Sequence, residues 1–191
     1  AAAVRWLMLA AALIGFAFLT KSLQALLVLP AFALTYLIAA PTTIGRRIRD
    51  LLIAAAVMVL AGGWWVAVVE LWPADSRPYI GGSQTNSAWE LILGYNGLGR
   101  ITGDEPGSVV PGGTGAGGGM WGDPSWHRMF DASWAGGIAW LLPAALLLMT
   151  AGFWLTRRNS RTDRYRAGLI LWSGWLLVTA LTFSFASGII H

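Results

Sequence analysis

The chain alternates long apolar stretches with short polar breaks. Five stretches, roughly 3 to 19, 23 to 40, 51 to 70, 137 to 156 and 167 to 187, approach the ~20 apolar residues that a helix needs to cross a bilayer core. Only "TKS" (20 to 22) separates the first two, which predicts a tight helical hairpin with Lys21 at its tip. Pro30 and Pro143 fall within the second and fourth stretches, where a membrane helix tolerates a kink. The pattern predicts an all-α polytopic membrane protein in three parts. Residues 1–70 hold three membrane helices and the lysine hairpin, 71–136 a large loop, and 137–191 two further membrane helices.

Composition agrees with that solvent. Hydrophobic residues make up 56% of the chain, charged residues 12%, and mean hydropathy is +0.60, whereas soluble domains carry about 25% charged residues. The basic pI near 10.1 does not point to nucleic acid, because the arginines lie in short tracts beside apolar runs, where they set topology. There is no cysteine, which rules out disulfides, thiolate metal sites and cysteine nucleophiles. The opening "AAAVRWLM" has no initiator methionine, and the end at "SGIIH" follows an apolar run, as expected of a piece of a longer protein.

Orientation follows from the arginines. "RRIRD" (46 to 50) and "RRNSRTDRYR" (157 to 166) together hold eight arginines and two aspartates and are expected on the cytoplasmic side. The stretch from Glu70 to Gly136 has three arginines against seven acidic residues, which places it outside. Two helices separate the basic tracts, so the parity agrees, and Lys21 comes out on the exoplasmic side.

The long loop is the natural carrier of specificity. In "RPYIGGSQTNSAWELILGYNGLGR", Ser87 three residues before Glu90 predicts a capping box opening a short helix that Gly94 would end. "TGDEPGSVVPGGTGAGGG" is too rich in glycine and proline for a helix, and it lacks the strand and Lys-Ser/Thr context of a phosphate loop. "MWGDPSWHRMFDASW" predicts a surface helix with Asp123 as N-cap, Pro124 at the first position, and Trp126, Met129 and Phe130 on one face. With Trp64, Trp65, Trp72, Trp121 and Trp134, it would form an outer aromatic belt. The two histidines, His127 and His191, show no metal-ligand spacing, and a divalent metal supported by carboxylates stays open.

The hairpin "GFAFLTKSLQALLVLPAFALTYL", the loop "RPYIGGSQTNSAWELILGYNGLGRITG", the glycine-rich run and the closing "FSFASGIIH" resemble actinobacterial polyprenyl-phosphate-dependent glycosyltransferases. These belong to the superfamily of the protein O-mannosyltransferases and the lipid A aminoarabinose transferase. Ser22 stands where many relatives have glycine. The resemblance implies a GT-C helical bundle. It also implies transfer of a sugar, hexose or pentose, from a polyprenyl-phosphate carrier to an exoplasmic acceptor (protein, lipid or cell-wall glycan) at the plasma membrane, with no certain cofactor. It further implies an acidic general base upstream of Ala1, so that residues 1–191 alone would be inactive.

Within that frame Lys21 would neutralise the carrier phosphate, since charge developing on a leaving group in a low-dielectric site needs a fixed cation. The alternative is a lysine that only snorkels to the interface. His191 would contact phosphate or sugar, or be a polar chain end. Tyr95, Asn96 and Arg100 offer a stacking ring, an amide and a cation, or ordinary turn chemistry. Glu70 would pair with Lys21 or be a solvated helix end, and Glu90 is assigned to its capping box rather than to catalysis. The competing classes are a transporter or permease, which would carry ionisable groups at mid-membrane depth, and a noncatalytic assembly subunit.

Overall fold

A computed structural model describes residues 2–103, 122–132, 137 and 139–188. Those residues form helices and turns with no strand. The main helices are α1 (Ala2–Lys21), α2 (Leu29–Ala39), α3 (Ile44–Leu71), α6 (Leu142–Thr156) and α7 (Arg164–Phe185), with two short ones, α4 (Ala88–Glu90) and α5 (Gly99–Thr102), in the loop.

Four helical stretches among the described residues are long and apolar enough to cross a membrane: Ala3–Ala39, Ile44–Leu71, Ala139–Thr156 and Arg164–Phe185. The expected first and second spans thus fall in one helical stretch of 37 residues. No open loop separates them, because the chain passes from α1 through a 3₁₀ segment, Ser22–Val28, into α2. Ser22 marks the break with a φ of 45°, in the left-handed region that no right-handed helix contains.

The chain divides into two compact units. One comprises Ala1–Leu26, Asp50–Trp121 and Ala186–His191, and the other Leu27–Arg49 and Gly122–Phe185.

In the first unit, α1 packs on α3 through small residues. A methyl group placed on Gly62 would lie 2.7 Å from the Gly15 carbonyl oxygen, and one on Gly15 would lie 2.7 Å from Cβ of Ala61. Close backbone approach through small residues is the usual way for helices to associate in lipid, where tails compete with any large apolar side chain. Further along both helices, Phe18 and Val69 pack on a cluster of Val66, Ala88 and Ile92, joined by Leu23 and Ile80. The two helices therefore advance in the same direction toward the loop.

In the second unit, α2 packs along α7. Ala31 approaches Gly174, and Phe32 meets Trp175 edge-on at 6.2 Å. Gly152 of α6 receives Leu169 of α7. The carbonyl oxygens at the end of α2 are taken by two arginines. Arg47 donates to Leu37, Ile38 and, through Nε, to Thr42 (2.9 Å), while Arg161 donates to Ile38 (2.6 Å) and Ala40 (2.9 Å). Cations suit a helix C-terminus, where unsatisfied carbonyls carry partial negative charge. The two basic tracts expected on one side of the membrane thus meet at one helix end.

Of the surface helix expected after Asp123, residues 122–131 show one 3₁₀ turn, Arg128–Phe130. Its competitor is α7, which supplies the bonding partners: Ser125 N donates to Ser184 O (2.9 Å) and the buried Arg128 reaches Phe183 O (3.4 Å). Trp126, Met129 and Phe130 still share one side, lining a groove of about 160 Å³ with Leu142, Leu146 and Leu181.

Two adjacent glycines test the α1–α3 contact. Gly62→Ala gains helix propensity but meets backbone, and is expected to lose about 1–3 kcal/mol through overpacking. Gly63→Ala, whose methyl would meet nothing closer than Val59 at 3.9 Å, should gain up to about 1 kcal/mol from propensity alone. Thermal unfolding in detergent should shift in opposite directions for the two variants. Shifts of the same sign would remove the contact as the cause.

Candidate functional site

The site is built in the first unit, where the ends of α1 and α3 meet the loop. Glu70, in the last turn of α3, ties three parts of the chain together. Its carboxylate accepts from Ser87 Oγ (2.7 Å) and from the backbone N–H of Trp89 (3.1 Å), and it pairs with Arg77 (3.3 Å). Trp89 is the second residue of α4, whose first amides have no partner inside the helix. The carboxylate of one helix therefore caps the next. The carboxylate is partly buried and paired with Arg77 rather than a solvated helix end, and its bonds to Ser87 and Trp89 were not anticipated from the sequence.

Arg77 spreads its fork over the turn. It donates to the Glu70 carbonyl (2.6 Å), the Trp72 carbonyl (3.0 Å) and the Asn86 carbonyl (2.8 Å). Its Nε is buried without an acceptor among the described residues. Asn86 sits at a φ of 58°, a region that asparagine tolerates better than most residues, and its side-chain oxygen accepts from Ile80 N (2.7 Å).

Glu90 has a parallel role one turn on. A single oxygen accepts from Ser83 Oγ (2.7 Å), Thr85 N (2.8 Å) and Thr85 Oγ1 (2.7 Å). These bonds stabilise the ionised form, and Ser83, then Thr85, hold its pKa down at about 2. Half of the expected capping box forms. Ser87 Oγ accepts from Glu90 N at 3.5 Å, but the Ser87 amide goes to Ser83 Oγ (2.8 Å), since Glu90 is turned back toward residues 83 and 85.

Gly94 does not end the helix as expected. The chain runs on as a π-helical segment, Leu91–Leu98, bends at Gly97, and stops after α5 at Gly103, whose φ is 82°. At Gly97 the φ and ψ of −125° and −113° lie outside the helical region, and the Ile92 carbonyl, then Leu23, leave no room there for a side chain. A π-helical insertion is a recurrent feature of functional sites. Here it carries Tyr95 and Asn96, and it brings Arg100 over the Tyr95 ring, 4.7 Å from its centroid. Gly82, at a φ of 86°, lies against the same ring. The stacking ring, amide and cation named from the sequence are thus partly buried neighbours, with the Tyr95 ring already engaged by Arg100.

Lys21, the last residue of α1, is exposed, and two positions later Leu23 inserts against Gly97 and the Ile92 cluster. The segment after α7 comes to the same loop. Ser187 N donates to Ile101 O (3.0 Å) and Gly188 N to Arg100 O (2.9 Å). His191 and the glycine-rich run lie outside the described residues. Among the described residues, no three His, Asp or Glu side chains gather as a metal site would require. Sequence reasoning passed over Arg77, Ser83 and Thr85. The density of hydroxyl and amide side chains in "SQTNS" ahead of Glu90 was the available signal.

These features define a multi-pass, all-helical membrane protein with a hydrogen-bonded loop site. The chain is 50% identical over 102 residues to "Putative mannosyltransferase YkcB" of Bacillus subtilis (strain 168), a match covering 53% of this chain and 14% of that protein. It is 44% identical over 114 residues to "Putative mannosyltransferase YycA" of the same organism, covering 60% of this chain and 17% of that protein. The chain therefore spans less than a fifth of the length of the curated relatives it matches. No family model and no solved structure matches it.

The Glu90 network has a signed pH dependence. A carboxylate whose folded pKa lies below its ordinary value of 4.5 stabilises the loop fully above that value, and the contribution is lost as pH falls through about 2. Glu90→Gln should speed hydrogen exchange at the Thr85 amide severalfold at neutral pH, after correction for intrinsic rates. The variant should also lose the acid-dependent opening that the parent shows between pH 4.5 and 2. An unchanged Thr85 rate would mean that the carboxylate does not hold the turn.

Proposed function

We propose that the chain is part of a GT-C-type membrane glycosyltransferase, of the actinobacterial kind its motifs resemble, which moves a sugar from a polyprenyl-phosphate carrier to an exoplasmic acceptor. The observation that carries this reading is the 44–50% identity, over about half the chain, to proteins named as mannosyltransferases. The four apolar helical stretches fit a membrane enzyme, with the first counted as two spans because Ser22 interrupts it.

In the reaction, the bond from the sugar's anomeric carbon to the carrier phosphate breaks as a bond to the acceptor oxygen forms. The acceptor's proton passes to a base, which the resemblance locates upstream of Ala1. The phosphate leaves with added negative charge. Lys21 would stabilise that charge as a compact cation fixed at a helix end and presented beside the loop. Arg100, Tyr95 and Asn96 would form the polar wall nearest the sugar, and the resemblance adds His191 as a further contact. Glu70 and Glu90 would act by position, holding the loop through their hydrogen bonds. A mannosyl group is the favoured cargo because of the relatives' names.

Two measurements test the proposal in the full-length protein. Lys21→Met should leave expression and folding intact while turnover of polyprenyl-phosphate sugar falls ~10²–10³-fold, as for loss of one preorganised electrostatic contact. Lys21→Arg should recover only part, since a planar fork does not copy a point charge. Near-normal turnover by Lys21→Met would sink the phosphate role.

The second measurement addresses sidedness. In a cysteine-free background, Asp75→Cys should react with an impermeant thiol reagent in intact cells and Ser160→Cys should not, both positions being exposed. Labelling at 160 would reverse the topology and remove Lys21 from the exoplasmic face.

A further inference from the structure

The second unit carries a feature that sugar transfer does not use. Its two arginine tracts, far apart in sequence, meet at the end of α2, where Arg47 and Arg161 share the Ile38 carbonyl at 3.4 and 2.6 Å. Those two guanidiniums are committed to backbone oxygens. Arg166 is held by the Asn159 carbonyl (3.2 Å), and Arg157 lies 3.7 Å over the ring of Trp154.

Arg46, Arg158 and Arg164 differ. All three are exposed and make no hydrogen bond or ion pair among the described residues. They flank the ends of three membrane-length stretches, which start at Ile44, end at Thr156 and start at Arg164. Trp154 and Tyr165 beside them are 66% and 81% exposed, and such amphipathic rings settle at headgroup depth. Exposed guanidiniums at that depth, on tracts joined by two arginines bound to one helix end, complement a phosphodiester. Arginine forks bind phosphate oxygens in pairs.

We propose that the joined arginine tracts form a binding site for the headgroup of an anionic phospholipid, with Arg46, Arg158 and Arg164 as the hydrogen-bond donors to its phosphate. Topology alone needs the positive charges only on one side of the membrane. A site needs the two tracts brought together, which the Ile38 carbonyl shared by Arg47 and Arg161 does.

The test uses the full-length protein in an uncharged detergent, titrated with phosphatidylglycerol and with phosphatidylcholine, and bound lipid is read by native mass spectrometry. The parent should prefer phosphatidylglycerol, and high salt should weaken that preference. Each arginine near an anionic surface is worth roughly fivefold in affinity, so Arg46→Gln, Arg158→Gln and Arg164→Gln combined should lower phosphatidylglycerol affinity by roughly a hundredfold. Phosphatidylcholine binding and the unfolding temperature should not change. Equal affinity of parent and variant for phosphatidylglycerol, or no lipid preference in the parent, would overturn the site. Displacement of the lipid by equimolar inorganic phosphate would overturn the lipid as its occupant. Should the triple variant fail to fold, salt-insensitive lipid binding by the parent would overturn the proposal on its own.

Discussion

A backbone polar group in hydrocarbon must find its partner within the protein, and the structure follows from that demand. Helices meet it along their length but leave amides at one end and carbonyls at the other. The carbonyls at the end of α2 are met by arginine, in Arg47 and Arg161. The amides that open α4 are met by carboxylate and hydroxyl, in Glu70 and Ser87. Each choice matches the sign of the exposed helix end. Charged residues in this apolar chain are therefore placed largely where regular backbone stops.

Among the described residues, much of the irregular backbone lies between Trp72 and Gly103, and its hydrogen bonds are drawn to few acceptors. One oxygen of Glu90 takes three donors, and Glu70 takes bonds from residues 77, 87 and 89. A loop pinned at two points keeps its π-helical segment in a set position against α1. The side chains on that segment are then presented without the entropy of a free loop.

The membrane-length helices were legible because apolar runs of that length have few other meanings. The count of helical stretches was less so. "TKS" reads as a break, yet it closes as 3₁₀ backbone, and only the φ of Ser22 marks the interruption. The loop was legible in its chemistry and not in its wiring. Ser87 and Glu90 were recognised as a pair, but Ser83 and Thr85 compete for the same carboxylate over distances with no helical period. Glu70 finds Ser87 seventeen residues away, a pairing set by packing of α1, α3 and α4 rather than by spacing. Gly94 looked like a helix stop, but the left-handed turn that ends this run comes at Gly103.

Ser22 holds a conformation that costs an L-residue of order 1–3 kcal/mol and persists only where its surroundings enforce it. The enforcement comes from next door, where Leu23 is seated against Gly97 and the cluster of Val66, Ala88 and Ile92. Lifting the loop from α1 would unseat Leu23 and let Ser22 relax, and the end of α1 that bears Lys21 would lose its fixed direction. Loop docking and the aim of the lysine are thus thermodynamically linked. Any ligand that tightens one must tighten the other by the same free energy.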